Sequence, residues 1–273
     1  MEQNMAKILM CKPSYYDVTY SINPWMKPKE IFVDTQLAIR QWEDLVNMLK
    51  ELGAEIFEME GQLNLPDIVF TANAALIYKD TAYLSKFFHP ERRPETQLYK
   101  VWFEQNGFKT IEVKNFFEGA GDALFSCNHH LYAGHGFRSH QMALCEDEEV
   151  RLNLGRMTIH SMRLVDPYFY HLDTCFCPLK DGFVLTYLPA FSQDIAQKIE
   201  NTLDYINVCE EDAKKFACNA VCLGNKIVMP SGCENTYKQL ERLGYEVYHI
   251  DMSEFIKAGG ACKCLTLRLD EFE

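Results

Sequence analysis

One arrangement of secondary structure recurs about five times along the sequence, and it limits the fold more than any other feature. Each unit of roughly 45 to 55 residues is predicted to hold a hairpin of two short strands, then a helix, then a third short strand. The hairpins are predicted at residues 68–84, 122–134, 174–187 and 220–229. A fifth unit would pair a C-terminal strand, 263–269, with an N-terminal strand, 7–11. Such a repeat is typical of a propeller-like array, and joining both ends of the chain in one unit would close it into a ring.

Helical patterns follow the hairpins at a constant phase. In the first helix, Leu45 and Leu49 belong to a row of apolar residues spaced three to four apart, and Gly53 ends the pattern. The helices are predicted at residues 34–52, 94–106, 139–154, 192–203 and 234–243, and the third strands at 55–57, 110–113 and 246–250. This order of elements predicts an α/β fold of five ββαβ units. It does not fit a dinucleotide-binding sheet, because the glycine-rich turn of that fold is missing.

The charge of the chain argues against a polyanionic partner. The sequence has 27 Lys and Arg residues against 39 Asp and Glu residues, a net charge of −12, and its basic residues form no cluster. We therefore expect neither a nucleic-acid nor a membrane partner, and a small cationic substrate is favoured instead. Residues 1–12 do not read as a secretory signal, and no stretch reaches the roughly 18 consecutive apolar residues of a membrane span. A cytoplasmic protein is expected.

Length and cysteine content narrow the organisation further. A chain of 273 residues that is 48% hydrophobic can form one large domain or two small ones, and the continuous repeat favours a single domain, 1–273. Its 11 cysteines are scattered without CxxC pairs, so neither a disulfide framework nor a zinc site is indicated. The simplest explanation of these cysteines is that they are reduced thiols in a reducing compartment. The sequence leaves the oligomeric state open, and a homo-oligomer is compatible with it.

A candidate nucleophile lies near the C-terminal end of the chain. Gly259 and Gly260 permit a tight turn, and the residues after them are predicted to form a short strand with Cys262 and Cys264 on one face. A thiol becomes a nucleophile when a base or a cation favours the thiolate, and Lys263 is adjacent, although it would point to the other face. The alternative is that both cysteines are small buried hydrophobic residues, as most free cysteines are.

Ionisable residues stand where the first strands of successive units are predicted to begin. They are Asp67, Glu118, Asp122, His171 and Asp173. In a pseudo-symmetric ring these positions converge on one central face, so a thiol, a histidine and several carboxylates would meet there. Taken singly, each has a structural explanation, since an aspartate can cap a turn, a carboxylate can pair with backbone donors and a histidine can be satisfied in the core. Because they occupy the same position in successive repeat units, a shared site is favoured.

Four motifs occupy these positions: Pro66-Asp67, Glu118-Gly119-Ala120-Gly121-Asp122, His171-Leu172-Asp173 and Lys263-Cys264-Leu265-Thr266. In this combination the sequence resembles the guanidine-modifying superfamily, also called the amidinotransferase or pentein superfamily, over essentially the whole chain. The resemblance implies the pentein fold, a five-bladed pseudo-symmetric α/β propeller. Three longer motifs are similar to the arginine dihydrolase subgroup: Met10-Cys11-Lys12-Pro13, Ser21-Ile22-Asn23-Pro24-Trp25-Met26 and Phe70-Thr71-Ala72-Asn73-Ala74. Some members of that subgroup carry a second, ornithine-processing domain, for which 273 residues are too few.

The resemblance implies a covalent mechanism in which Cys264 attacks the carbon of a guanidinium group. His171 would protonate the departing amine and then activate water, and Glu118 would orient the histidine or contact the substrate nitrogens. A planar guanidinium cation needs carboxylate and amide oxygens around it, and a guanidinium fork suits the α-carboxylate of the substrate. The expected substrate contacts are Asp67, Asp173, Asn73 and Asn23, with Arg138 and either Arg92 or Arg93 for the α-carboxylate. No metal ion or organic cofactor is required.

One departure from the related families concerns the product. Arginine deiminases usually have Arg-Asp, and dimethylargininases Glu-Asp, where this chain has Ala72-Asn73, so an acidic contact becomes an amide. An amide both donates and accepts hydrogen bonds and can retain a neutral urea, which favours hydrolysis of free L-arginine beyond citrulline to ornithine, ammonia and carbon dioxide. Two alternatives stay open: an arginine deiminase or dimethylarginine dimethylaminohydrolase that releases citrulline, and a non-catalytic binding protein on the same fold. The joint presence of Cys264, His171 and Glu118 argues against the second.

Overall fold

In the computed structural model, which describes residues 5–145 and 148–271, short strands alternate with helices along the chain. In chain order these are β1 (Ala6–Cys11), α1 (Thr35–Glu51), β2 (Ala54–Met59), β3 (Ala75–Tyr78), β4 (Thr81–Leu84), α2 (Glu95–Gln105), β5 (Lys109–Glu112), α3 (Gly119–Asp122), β6 (Ala123–Ser126), β7 (His130–His135), α4 (Glu148–Asn153), β8 (Thr158–Arg163), β9 (Phe176–Pro178), β10 (Val184–Thr186), α5 (Gln193–Thr202), β11 (Tyr205–Asn207), α6 (Glu210–Ala213), β12 (Val221–Leu223), β13 (Lys226–Pro230), α7 (Glu234–Arg242), β14 (Glu246–Ile250), α8 (Ser253–Ile256) and β15 (Leu267–Arg268). Single turns of 3₁₀ helix lie between them at Pro66–Val69, Thr71–Asn73, Cys127–His129, Leu172–Thr174, Lys180–Gly182 and Leu188–Ala190.

The described strands form five sheets of three strands each. In four sheets the first two strands are an antiparallel hairpin, and the third runs parallel to the second after a helical crossover; these sheets are β3-β4-β5, β6-β7-β8, β9-β10-β11 and β12-β13-β14. The fifth sheet has the order β15-β1-β2, in which β15 runs antiparallel to β1 with Leu267 opposite Leu9. The ββαβ units and the pairing of the N-terminal strand with the C-terminal strand, both predicted from the sequence, are confirmed.

Helix α1 shows why these sequences fold as they do. Asp34 caps its first turn, where the side-chain Oδ1 accepts a hydrogen bond of 3.0 Å from the backbone N–H of Leu37. One face buries Trp42 and Leu45, which pack against β1 and the C-terminal residues in a shared apolar cluster. Gly53 follows with a φ of 96°, a left-handed conformation that glycine adopts without strain, and β2 begins at the next residue. Within the described residues, no helix is both long enough and apolar enough to cross a membrane.

Two predicted elements are shorter than expected. The strand predicted from residue 68 begins only at Ala75, since the backbone before it forms 3₁₀ turns in which Ala74 N–H donates to the carbonyl of Thr71. The helix predicted over 139–154 is reduced to α4 after turns at 141–145, and residues 146–147 lie outside the described residues. At its expected start, the hydroxyl of Ser139 donates to Asp122 and accepts from the backbone N–H of Glu118, so polar contacts fix this segment instead.

The prediction that Cys262 and Cys264 share one face of a strand is wrong. Residues 262–265 form a turn, in which Leu265 N–H donates to the carbonyl of Ala261 at 3.3 Å, and β15 begins only after it. Gly259 enters this segment with a φ of 86°. A Cβ atom there would lie 2.8 Å from the hydroxyl oxygen of Tyr170, so both space and backbone conformation call for glycine.

Candidate active site

Buried polar side chains lie just before the first strand of every unit. They are Asp67 and Asn73 before β3, Glu118 and Asp122 before β6, His171 and Asp173 before β9, Asn219 before β12, and Cys264 before β15, and none is more than 2% exposed. Because the first strands occupy corresponding edges of the five sheets, the segments before them can contact one another. Their hydrogen bonds join the predicted residues into the groups described next.

Cys264 lies between an amide donor and a carboxylate. Its sulfur accepts a hydrogen bond of 3.1 Å from Nδ2 of Asn219 and donates one of 3.4 Å to Oδ2 of Asp173. Burial, and then the negative charge of Asp173, raise the pKa of the Cys264 thiol well above its usual range, against a smaller lowering effect of Asn219. Without a bound cation, the thiol form therefore prevails.

His171 is paired with a carboxylate that stays ionised. Its Nε2 lies 2.7 Å from Oε2 of Glu118, and the same oxygen accepts a bond of 3.0 Å from Arg138. Burial alone would raise the pKa of Glu118, but Arg138 and His171 outweigh it and hold that pKa far below its ordinary value. An ionised carboxylate can only accept, so Nε2 of His171 carries a proton and its other ring nitrogen is left for chemistry.

Two aspartates of the candidate site each have an unused acceptor oxygen. Oδ1 of Asp67 and Oδ1 of Asp173 are buried, and among the described residues no hydrogen-bond donor reaches either oxygen. The second oxygen of Asp67 accepts a bond of 2.9 Å from the hydroxyl of Tyr20. Burial raises the pKa of Asp173 to about 7, against the smaller opposing effect of Lys263, and also raises the pKa of Asp67, against that of Arg92. Both carboxyls suit a ligand that brings N–H donors and positive charge.

Asn73 is held in one orientation by its neighbours. Its Oδ1 accepts a bond of 2.8 Å from Nη1 of Arg92, and its Nδ2 donates to the carbonyl of Glu118 at 3.3 Å. Arg92 is itself buried, and it donates through Nε and Nη2 to both oxygens of Glu95. A Cβ atom on Gly121 would come within 2.2 Å of Nδ2 of Asn73, so only glycine fits beside this amide.

Arg138 and Asn23 connect the segment of residues 20–26 to distant parts of the chain. Arg138 donates from Nη2 to the carbonyl of Ile22 at 2.9 Å, and its guanidinium lies 4.5 Å from the ring centre of Tyr170. The Asn23 amide donates to the carbonyl of Ala258 at 2.9 Å and accepts from backbone N–H groups of the next turn. Asn23 therefore joins this segment to the residues that precede Cys264.

Arg93 lies apart from these groups. Its guanidinium donates to the carbonyls of Phe87 and Phe88 instead, the latter at 2.9 Å. Of the two neighbouring arginines, Arg92 is the one whose positive charge acts within the site.

Asn219 is a candidate-site residue that the sequence analysis missed. Besides the sulfur of Cys264, its Nδ2 contacts the carbonyl of Asp173 at 3.0 Å. Its Oδ1 accepts from the backbone N–H groups of Ala261 and Cys264, each at 3.1 Å. The signal was its position directly before the fourth predicted hairpin, the phase that carries ionisable residues in the other units. Among the described residues, no group of three or more His, Cys, Asp and Glu could hold a metal ion.

Comparison with known proteins covers nearly the whole chain. Residues 16–270 match the family model of the eukaryotic N,N-dimethylarginine dimethylhydrolases. The bifunctional arginine dihydrolase/ornithine cyclodeaminase ArgZ of Synechocystis is 43% identical over 97% of this chain, which spans 38% of the length of that relative. The dimethylarginine dimethylaminohydrolase of Mycobacterium tuberculosis is 38% identical over 95% of this chain and 84% of its own length.

Solved structures of the N-terminal domain of ArgZ have the same fold. One is a cysteine-to-serine mutant bound to substrate, and another is an asparagine-to-serine variant covalently bonded to a reaction intermediate. Each superposes with a TM-score of 0.91 at 42% identity, over 97% of this chain and 98% of that domain. The extent of these matches leads to one conclusion: the chain belongs to the N,N-dimethylarginine dimethylhydrolase family, within the pentein superfamily.

Proposed function

We propose that the chain hydrolyses the guanidinium group of free L-arginine through a covalent adduct on Cys264 and releases ornithine, ammonia and carbon dioxide. One observation carries the proposal: the buried thiol of Cys264 contacts Asp173, whose second carboxyl oxygen has no donor among the described residues. The same site holds His171, which is paired with the ionised Glu118. A cytoplasmic location, expected from the sequence, is part of the same proposal.

The two unused aspartate oxygens account for recognition of a guanidinium group. Arginine would donate its N–H groups to Oδ1 of Asp67 and of Asp173 and offset their negative charge. A cation beside Asp173 removes the main electrostatic penalty on the Cys264 thiolate, so the substrate itself activates the nucleophile. Arg138 and Arg92 are the proposed partners of the α-carboxylate.

The reaction is proposed to proceed by two attacks on one carbon. Cys264 adds to the guanidinium carbon, and its thiol proton passes to the free ring nitrogen of His171, whose Nε2 is engaged by Glu118. The same ring nitrogen then gives that proton to the departing ammonia. The same nitrogen then activates water, which releases the sulfur and leaves citrulline. A second attack on the ureido carbon expels the second ammonia, and water releases the carbamate of ornithine, which loses carbon dioxide. Two water molecules are consumed in total.

Asn73 favours this outcome over release of citrulline. Its amide is neutral and fixed by Arg92 and by the carbonyl of Glu118, so it can hydrogen-bond to a neutral ureido group without repelling it. The 43% identity with a dihydrolase supports the same conclusion. The family model and the Mycobacterium relative support the second candidate, hydrolysis of methylated arginines to citrulline.

The test compares products from L-arginine and from dimethylarginine. Wild-type protein incubated with arginine is expected to yield one ornithine and two ammonia with little free citrulline, followed by mass spectrometry. Asn73→Asp replaces an N–H donor by an oxygen facing the carbonyl of Glu118 and adds negative charge, so citrulline should escape as the main product. Asn225→Asp makes the same change at the surface, where the amide contacts Glu246, and should leave the products unchanged.

Two cysteine variants test the nucleophile. Cys264→Ser should lower turnover by at least about 1,000-fold, because an alcohol replaces the thiolate, whereas Cys262→Ser, buried and outside the described site contacts, should only weaken it. Wild-type protein that stops at citrulline, or accepts only methylated arginines, would contradict the dihydrolase assignment. The reverse result for the two cysteines would contradict the mechanism itself.

A further inference from the structure

Two cysteines that the proposed reaction does not use face each other below the active site. Cys177 lies in β9 and Cys222 in β12, and their sulfur atoms are 3.6 Å apart. The two strands are edge strands of different sheets, β11-β10-β9 and β12-β13-β14. The contact between the thiols therefore joins two units of the fold.

A cavity gives the pair access to small molecules. Its volume is about 70 Å³, and it is lined by both cysteines together with Cys218, Lys263 and Asp173. Cys177 is buried, whereas Cys222 is partly exposed, so a reagent that enters reaches Cys222 more easily. The two sulfur atoms are thus in contact with each other, and Cys222 remains partly accessible to solvent.

The charges around the pair give the two thiols different roles. The hydrogen bond with Cys222, followed by burial, raises the pKa of the Cys177 thiol well above its usual range, and Lys263 opposes this shift. An oxidant is expected to meet the more accessible thiol first, with the buried one as its resolving partner. Lys263 then favours the thiolate of Cys177 once Cys222 has been oxidised.

We propose that Cys177 and Cys222 form a reversible disulfide when the protein meets a peroxide. The thiolate of Cys222 attacks one peroxide oxygen, the O–O bond breaks, and a sulfenic acid and water result. The sulfur of Cys177 then attacks the sulfenic sulfur, the S–O bond breaks, and the Cys177 proton leaves with the oxygen as a second water. Two thiols and one hydrogen peroxide become one disulfide and two waters, and a dithiol reductant reverses the step.

The disulfide would act on the site through the segments that precede both strands. A disulfide requires an S–S distance of about 2.05 Å, so oxidation brings the two sulfur atoms closer and ties β9 covalently to β12. Asp173 lies shortly before β9 and Asn219 shortly before β12, and both contact the sulfur of Cys264. Oxidation is therefore expected to change the environment of the nucleophile without modifying it.

The experiment uses the complete chain and needs no assay of turnover. Protein is treated with hydrogen peroxide, free thiols are blocked with N-ethylmaleimide in denaturant, and a tryptic digest is searched for a cross-link between peptides 164–180 and 216–226. Fragment ions must place the bond between Cys177 and Cys222, since the same peptides hold Cys175 and Cys218. Dithiothreitol should return both peptides to the free form.

Matched variants separate this pair from its neighbours. Cys177→Ser and Cys222→Ser should each lower the yield of cross-link at least tenfold, while Cys218→Ser, in the same cavity and on the same peptide as Cys222, should leave it unchanged. Absence of the linked peptide from oxidised wild-type protein overturns the proposal even if a variant fails to fold. The proposal is also overturned if the disulfide forms with Cys218, or if Cys222 is oxidised only to sulfinic or sulfonic acid.

Discussion

At the scale of single residues, Asn219 gives the proposed nucleophile both its place and its only side-chain amide donor among the described contacts. It binds two backbone N–H groups of the turn around Cys264 through Oδ1 and the sulfur through Nδ2. A neutral donor on sulfur favours the thiolate, which burial and Asp173 oppose. Asn219 thus links the shape of the turn to the acidity of its thiol.

Asn219→Asp should separate these two effects. The carboxylate still accepts from Ala261 and Cys264 but no longer donates to sulfur, and it adds a negative charge beside Asp173. We expect the pH midpoint for alkylation of Cys264 by iodoacetamide to rise by at least about one unit, with kcat at least tenfold lower and KM much less affected. Mass spectrometry of peptide 264–268 follows the alkylation, and Asn225→Asp is the control. A reduced kcat with an unchanged alkylation profile would show that Asn219 acts on structure alone.

Reactive side chains at a repeated position, together with motifs that resemble a known family, explain which site residues could be predicted from the sequence. Cys264, His171 and Glu118 carry recognisable chemistry at a repeated phase, and the structure places them before the first strands as that phase indicated. Asn219 stands at the same phase but is an amide, a residue type common in turns, so nothing in the sequence separated it from a turn former. The Asn23 side chain is held by the carbonyl of Ala258, which is distant in the sequence, so this contact could not be predicted either.

At the scale of elements, Thr71 connects three segments that are far apart in the sequence. Its buried hydroxyl lies 3.0 Å from the carbonyl of Leu9 in β1 and 2.9 Å from the carbonyl of Leu265, directly after Cys264. The 3₁₀ turn that carries it replaces the strand predicted at this point. A run of apolar and β-branched residues favoured a strand there, but the local hydrogen bonds of Thr71 and its neighbours favour a turn.

Thr71→Val should therefore affect both stability and activity. The variant keeps the shape but removes the one hydroxyl proton that the two buried carbonyls share, which is expected to lower the free energy of unfolding by about 1 to 3 kcal/mol. Because Leu265 follows the nucleophile, kcat should also fall. Thr71→Ser retains the hydroxyl and is the control. Urea denaturation and steady-state kinetics measure the two effects, and equal behaviour of the valine and serine variants would refute the role of the hydroxyl.

At the scale of the whole molecule, buried carboxyls make stability depend on pH. Burial raises the pKa of Asp173 and of Glu95 to about 7 and that of Asp122 to about 6. A carboxyl whose pKa is higher in the folded than in the unfolded chain binds more protons when folded. Stability of the substrate-free protein should therefore fall as the pH rises from about 4 to about 7.

Asp173→Asn tests this dependence. The amide cannot ionise, so the variant should lose less stability than the wild type between pH 5 and pH 8, by about 2 kcal/mol for a folded pKa of about 7. Urea unfolding at both pH values provides the measurement. Parallel losses in the two proteins would mean that Asp173 ionises in the folded state as it does in water.

The ββαβ repeat was readable from the sequence because it is local: each hairpin, helix and third strand lies within one stretch of chain. The pairing of β1 with β15 was predicted only because one unit lacked a partner at each end, not from any local pattern. The 3₁₀ turns and the thiol-bearing turn escaped prediction, since tertiary hydrogen bonds decide them.

The pairing of β1 with β15 also ties the chemistry to the order of translation. β1 is made before every other described strand and must wait for β15, which follows all of them, before its sheet is complete. Four sheets, with His171, Glu118 and Asp67 at their edges, precede the nucleophile during synthesis. A nascent chain, or one interrupted before Cys264, therefore has the carboxylates that are proposed to bind arginine but no thiol at that position. The proposed covalent capture of substrate can begin only when translation has passed this point.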